Sequence, residues 1–166
     1  MIKVLESENI NYVKVDPNLI NDYLKMYNNK DTQKFINSDE YHEFSFDDEM
    51  NWVKSKMEEK DKIFSMIEKS TNEYIGNIEL MEIKNNIGEL GICLTKDKCD
   101  KHYGTESIKK MVDYWIKLFN LDTIDLNVHG DNKRAIKCYE NCGFVIDGEG
   151  KHKGDFHMTY KGDKND

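Results

Sequence analysis

Two stretches of the chain hold residue types at spacings that could do chemistry. The first is Cys99-Asp100-Lys101-His102-Tyr103-Gly104-Thr105-Glu106, between a strand-like segment and a long amphipathic pattern. A glycine there lets backbone approach a ligand, and the opening amides of a helix offer unpaired N–H donors with a favourable dipole. That combination suits a phosphate group, although taken alone it also reads as an ordinary turn before a helix. Neither G-x-x-x-x-G-K-[ST] nor G-x-G-x-x-G occurs, which removes the main support for nucleotide-hydrolase and dinucleotide readings. The only arginine in the sequence is Arg134. A phosphate would therefore be held by backbone amides and lysine, not by guanidinium forks. The second stretch runs from Asn132 to Phe144 as Asn-Lys-Arg-Ala-Ile-Lys-Cys-Tyr-Glu-Asn-Cys-Gly-Phe.

The cysteines carry less. Cys93 and Cys99 are six apart and Cys138 and Cys142 four apart, with no C-x-x-C pair. That spacing matches no ordinary zinc module, so the thiols are read as reduced and unliganded, with no metal.

The composition is that of one folded domain. The 166 residues are 38% hydrophobic and 34% charged, with 24 Lys plus Arg against 32 Asp plus Glu, a net charge of −8. The length fits a single domain with a proper core. The acidic balance argues against broad nucleic-acid binding, which draws its affinity from neutralised phosphates. No apolar run is long enough to span a bilayer, and the opening Met-Ile-Lys-Val-Leu-Glu lacks the pattern of a secretion signal. A cytoplasmic protein without a membrane partner is expected.

The elements that must position the two stretches follow from periodicity. Residues 10–15 alternate as a strand. Asp16-Pro17 then caps a helix whose apolar positions are Leu19, Ile20, Tyr23, Leu24 and Tyr27. A polar, acidic segment spanning 39–48 reads as a surface loop. Ser45 with Asp48 makes a capping-box-like start to a second helix, with Met50, Val53 and Met57 as its buried stripe. Strands are expected over 62–68, 73–84 and 88–94, with Asn85-Asn86 turning the last pair. Ile108, Met111, Val112, Trp115 and Phe119 mark one face of a long helix. A strand over 122–128 is followed by a helix over 133–142 with Ala135, Ile136 and Tyr139 inward, and Gly143 at its left-handed cap. Strands at 144–146 and 156–160 close the chain before a polar tail, 162–166. Trp52 and Trp115 read as core, and His129, His152 and His157 as surface. The reading is an α/β (α+β) domain over 1–161, with a mixed, mostly antiparallel sheet flanked by helices.

Within that frame the second stretch, N-x-x-A-x-x-x-Y-x-x-x-G-F after a strand ending Leu126-Asn127-Val128, resembles the GNAT superfamily of acetyl-CoA-dependent N-acetyltransferases. Glu89 through Leu94 and Tyr103 through Glu106 align without a gap to that family's pyrophosphate motif, and Gly76-Asn77-Ile78-Glu79-Leu80 resembles its third strand. The likeness covers about residues 75–145 by motif and the N-terminal half by element order. The layout is most similar to the branch of ribosomal-protein N-terminal and spermidine acetyltransferases.

The resemblance implies a cosubstrate, acetyl-CoA, wedged where the family's fourth and fifth strands splay. Backbone of Cys93, Leu94 and Thr95 would pair with the pantetheine arm, and an N–H of that strand would polarise the thioester carbonyl. The loop Cys99, Asp100, Lys101, His102, Tyr103, Gly104 and Thr105 would hold the pyrophosphate, its amides from Lys101 onward as donors. Asn127 and Asn132 would lie along the cofactor arm. Tyr139 would protonate the departing thiolate; outside the motif it would read as a core aromatic. Transfer to a primary amine would proceed by direct attack in a ternary complex.

The chain also departs from the family's Q/R-x-x-G-x-G/A pattern. Cys99 replaces the Gln or Arg, and His102 replaces the first glycine. Asn127 stands where some relatives carry a glutamate base, and an amide cannot accept that proton. Glu79 and Glu89 on the central strands could reach the amine through water, Glu89 being favoured, with His42 a weaker candidate; either glutamate could instead face solvent. Asp39, Glu40, Glu43, Asp47, Asp48 and Glu49 suit a cationic acceptor, a small amine or a protein N-terminus, or simply keep a loop soluble. Homodimers are common in the family, so a second copy is a partner the likeness allows. The rival reading is a non-catalytic acyl-CoA-binding or sensory module on the same fold.

Overall fold

A computed structural model of the chain describes residues 1–36 and 40–162. Asp39 and most of the polar tail lie outside those described residues. The elements are β1 (Lys3–Glu6), β2 (Ile10–Val13), α1 (Ile20–Tyr27), α2 (Lys30–Ile36), α3 (Phe46–Met57), β3 (Ile63–Glu68), β4 (Tyr74–Lys84) and β5 (Ile87–Leu94). They continue as α4 (Tyr103–Phe119), β6 (Thr123–His129), α5 (Lys133–Asn141), β7 (Phe144–Glu149) and β8 (Asp155–Tyr160). The hydrogen-bonded strand order is β1-β2-β3-β4-β5-β6-β8-β7. β5 and β6 run parallel, Ile87 to Glu89 opposite Thr123 to Asp125, and β5 continues five residues further to Leu94. The pairs β1–β2, β2–β3, β3–β4, β6–β8 and β7–β8 are antiparallel. The expected mixed, mostly antiparallel sheet is present.

The chain gathers into two compact units: Met1–Glu79 with Ile92–Tyr103, and Leu80–Gly91 with everything from Gly104 onward. The core of the first unit includes Val13, Val15, Leu19, Tyr23, Met26, Val53, Ile63, Ile67 and Tyr74, against which Tyr27, Trp52 and Cys93 pack. Tyr23 meets Trp52 and Tyr74 edge-on, each at a centroid separation of 5.4 Å, a favoured arrangement of ring quadrupoles. Asp16 caps the turn at Pro17 by accepting from the Asn18 N–H at 2.8 Å, as its sequence position requires. In the second unit Leu80, Leu90, Met111, Trp115, Ile124, Leu126, Phe144 and Met158 are buried. Asn85 and Asn86 turn β4 into β5 with φ of 53° and 61°, the pair of positive angles that a tight hairpin turn demands.

Four expectations are corrected. β1 is an eighth strand unseen in the sequence; only four residues long, mostly exposed and charged at both ends, it has no apolar alternation to betray it. α2 likewise carries no apolar stripe to mark it in the sequence, its buried residue being Gln33. The buried face of α3 is rotated: Met57 is 53% exposed, while Glu49 and Val53 are buried and Trp52 half-buried. His157 is not a free surface residue but lies half-buried between two aspartates.

Candidate active site

Residues of the first unit include the end of β5 and the loop beyond it. Thr95 N–H donates to the Ile75 carbonyl at 2.8 Å, and Gly76 beside it has no side chain to intrude. A Cβ on Gly76 would stand 2.1 Å from the Cys93 carbonyl oxygen, so glycine is what lets these backbones approach. The Cys93 thiol is pushed up to about 12, by burial first and then by the neighbouring Cys99 and Glu79, which leaves it unreactive at neutral pH. The Thr95 hydroxyl is buried without a hydrogen-bond partner.

A short turn, Lys96–Lys98, then leads to Cys99, whose thiol donates to the Thr95 carbonyl at 3.3 Å. Asp100, Lys101 and His102 are exposed, and α4 begins at Tyr103. His102 has φ of 65°, the left-handed conformation in which glycine is at home. The position where the resemblance expects a glycine thus carries a histidine with a glycine-like backbone angle.

The loop is tied down by residues that sequence reasoning missed. Lys98 is buried and its ammonium lies 3.0 Å from Glu68 and 2.9 Å from Glu73. The Tyr103 hydroxyl and the Thr71 hydroxyl also donate to the Glu68 carboxylate. Those hydroxyl bonds, followed by the Lys98 ammonium, hold Glu68 down at about 2. A lysine in a three-residue turn carries no sequence signal that its head is buried; only the fold brings Glu68 of β3 beneath it.

Glu79 is partly exposed and pairs with Lys56 of α3 at 3.1 Å. A buried polar chain crosses the same unit. Asp16 N–H donates to the Tyr23 hydroxyl at 3.2 Å, and Tyr23 lies 2.6 Å from Ser65. Ser65 donates to Asn77 at 2.8 Å, and the Asn77 amide donates to the Tyr27 hydroxyl at 3.1 Å. His42 is held through its backbone, its N–H donating to Gln33 at 2.9 Å and its carbonyl accepting from Gln33 at 2.6 Å.

In the second unit Asn127 and Glu89 come together: the Asn127 amide donates to Glu89 at 3.3 Å, and the Lys151 ammonium sits 2.8 Å from the other Glu89 oxygen. Both residues line a groove of about 480 Å³ with Glu82, Asp125, Glu149 and Lys151. His157 pairs with Asp125 at 2.9 Å and with Asp147; burial opposes its charge, but the two carboxylates outweigh it and raise the imidazole. Gly104 opens this unit's part of α4, and Thr105 lies 3.5 Å from the Cys138 thiol. Asn132 is the N-cap of α5, its side-chain oxygen accepting from Ala135 N–H at 3.3 Å. Tyr139, in the last turn of α5, is half-buried with its ring 6.1 Å from Phe144. Ile136 is buried beside it, whereas Ala135 is only half-buried.

Among the described residues no cluster of His, Cys, Asp and Glu could hold a metal ion, and no helix is long and apolar enough to cross a membrane.

Comparison with known proteins agrees with the motifs. Over 85 residues the chain is 32% identical to a spermidine N(1)-acetyltransferase of Vibrio cholerae, which is 50% of this chain and 49% of that protein. The chain spans about half the length of the curated relatives it matches. Its fold is similar to the crystal structure of spermidine N-acetyltransferase from Vibrio cholerae in complex with CoA and spermine: TM-score 0.80, 21% identity, 92% of this chain and 95% of that one. The ribosomal-protein-S5-alanine acetyltransferase of Vibrio fischeri is also similar, with TM-score 0.70, 16% identity and 97% of each chain. The acetyltransferase (GNAT) domain family matches residues 11–145, from β2 through α5 into β7, and to that family this chain belongs.

Proposed function

We propose that the chain is a cytoplasmic N-acetyltransferase that moves the acetyl group of acetyl-CoA to a primary amine by direct attack, with no metal. The observation that carries this reading is the backbone of the Cys99–Thr105 loop, with His102 at a left-handed φ of 65° in the glycine position of the family's pyrophosphate motif. In this proposal amides of Lys101 to Thr105 bind the pyrophosphate at the N-terminus of α4, with Cys99 and Asp100 flanking it. The Lys98–Glu68 pair, with Tyr103, keeps that loop in place. Cys93, Leu94 and Thr95 bind the pantetheine arm through backbone groups, and the unpartnered Thr95 hydroxyl supplies one more polar contact. Asn127 and Asn132 lie along the arm, and Tyr139 gives its proton to the sulfur as the C–S bond breaks. Positioning and a polarised thioester carbonyl supply the rest of the rate.

The acceptor is an amine of the small, cationic kind or a protein N-terminus, with the acidic side chains Glu40, Glu43, Asp47 and Asp48 drawing it in. A homodimer is compatible with this reading. The departures at Cys99 and His102 are what favours a non-catalytic acyl-CoA-binding or sensory module, and a histidine that holds the glycine conformation weakens that case. Calorimetric titration with acetyl-CoA, followed by thiol release against a panel of primary amines, is the test. One-site binding with amine-dependent thiol release is expected; absence of binding overturns the proposal, and binding without release favours the module.

A further inference from the structure

Building on the amine-acetylation reading above, we propose that Glu49 is the carboxylate that binds the acceptor ammonium and takes its proton before attack, with Tyr27 and Trp52 as the wall of that pocket. Glu49 sits on α3 and is 4% exposed, yet its Oε2 has no hydrogen-bond partner. A buried carboxylate oxygen left idle is costly unless a cation or a proton meets it. Burial first, and the charge of Asp48 second, push the Glu49 carboxyl up to about 7. At that value it is half ionised near neutrality and can both accept and release a proton.

The surroundings suit an alkylammonium. The charge of Glu49 is felt at the Tyr27 hydroxyl, which also feels Cys93 and Glu79. Tyr27 and Trp52 pack edge-to-face with centroids 5.5 Å apart, an aromatic surface able to attract a cation. The chain of bonds from Tyr23 through Ser65 and Asn77 ends at Tyr27, so that hydroxyl is fixed in place. All these groups belong to the compact unit that carries Cys93 and Thr95. The charged and titratable groups around Glu49 are Asp48 on its own helix and Tyr27 from α1. The Glu79–Lys56 pair and Cys93 stand around Tyr27, and His42 acts on Asp48.

The two glutamates expected from the sequence are less suited. Glu79 holds the Lys56 ammonium at 3.1 Å, and Glu89 holds Lys151 at 2.8 Å and the Asn127 amide at 3.3 Å. A carboxylate whose oxygens are already engaged by an ammonium has no idle oxygen of the kind Glu49 offers an incoming one.

The step balances as follows. Glu49 Oε2 takes one proton from R–NH3+, leaving R–NH2. The nitrogen lone pair forms the C–N bond to the acetyl carbon, the C–S bond breaks, and the sulfur leaves with that electron pair as the thiolate. The second nitrogen proton passes through solvent to the thiolate, giving the thiol, and Glu49 releases its own proton to water.

The test begins on the whole chain with 13C-carboxyl-labelled glutamate, the Glu49 signal being assigned with Glu49→Gln. The Glu49 carboxyl is expected to titrate near pH 7 and to move to lower pH when n-butylamine is added. In turnover, Glu49→Gln is expected to keep acetyl-CoA affinity within about twofold while lowering kcat/KM for n-butylamine and spermidine about 10²-fold, with loss of the limb near neutrality. A Glu49 signal indifferent to n-butylamine, or a variant with unchanged kcat/KM and pH profile, overturns the proposal. If the wild type acetylates no amine, the transferase reading falls on its own, and the carboxyl titration with n-butylamine still decides whether Glu49 binds ammonium.

Discussion

The Lys98 ammonium lies 3.0 Å from the Glu68 carboxylate with both side chains no more than 5% exposed. A buried pair of this kind holds a loop in one place, because removing either partner strands an uncompensated charge. Glu68→Ala is expected to cost about 3–5 kcal/mol, the range for breaking buried pairs, and to loosen the turn Lys96–Lys98. Chemical denaturation with amide exchange on residues 95–105 checks it; a loss below about 1 kcal/mol would mean that the pair is already solvated.

The same carboxylate fixes an acid limit. Its folded value of about 2 lies below the ordinary 4.5, so its stabilisation is present above 4.5 and lost as pH falls from there through 2. Stability measured from pH 6 downward should therefore fall more steeply in the wild type than in Glu68→Gln. Parallel curves would show that Glu68 does not set the slope.

His102 occupies the left-handed region at φ 65°, which costs a side-chain-bearing residue about 1–2 kcal/mol. His102→Gly should fold at least as stably as the wild type and bind acetyl-CoA no less tightly. His102→Val should lose both stability and affinity, because a β-branched residue is a severe outlier there. Thermal melts and calorimetry on the two variants decide it; equal behaviour would sink the argument.

Gly76 lets the Cys93 carbonyl come where a Cβ would stand, 2.1 Å away. Gly76→Ala must push one backbone aside, and overpacking of this sort costs about 1–3 kcal/mol. Since Cys93 to Thr95 are the proposed contacts of the cofactor arm, acetyl-CoA affinity should fall together with stability. Affinity unchanged in a destabilised variant would move the arm elsewhere.

Tyr139→Phe removes one oxygen and keeps the ring beside Phe144. Turnover should drop about 10²-fold with acetyl-CoA affinity nearly intact, as for the loss of a general acid. A wild-type rate across the pH range would leave Tyr139 as a packing residue.

The sequence by itself determined the family, the order of most elements and both motif stretches. Those signals are local: the alternation in β5 and β6, the Asp16-Pro17 cap, the Asn85-Asn86 turn and the spacing of Asn132, Tyr139 and Gly143 each act within a few residues. Tertiary structure decided whatever depends on partners distant in the chain. Apolar spacing gave α3 a stripe ending at Met57, but the packing of α1 and α3 rotates that helix so that Glu49 is buried and Met57 is exposed. Nothing in the residues near Lys98 announces that its ammonium reaches Glu68 and Glu73, 30 and 25 positions away. His157 reads as a surface residue until Asp125 and Asp147 close on it. Burial and charge pairing depend on the whole chain, so the sequence could name candidate carboxylates while the fold settled which were neutralised and which was left without a partner.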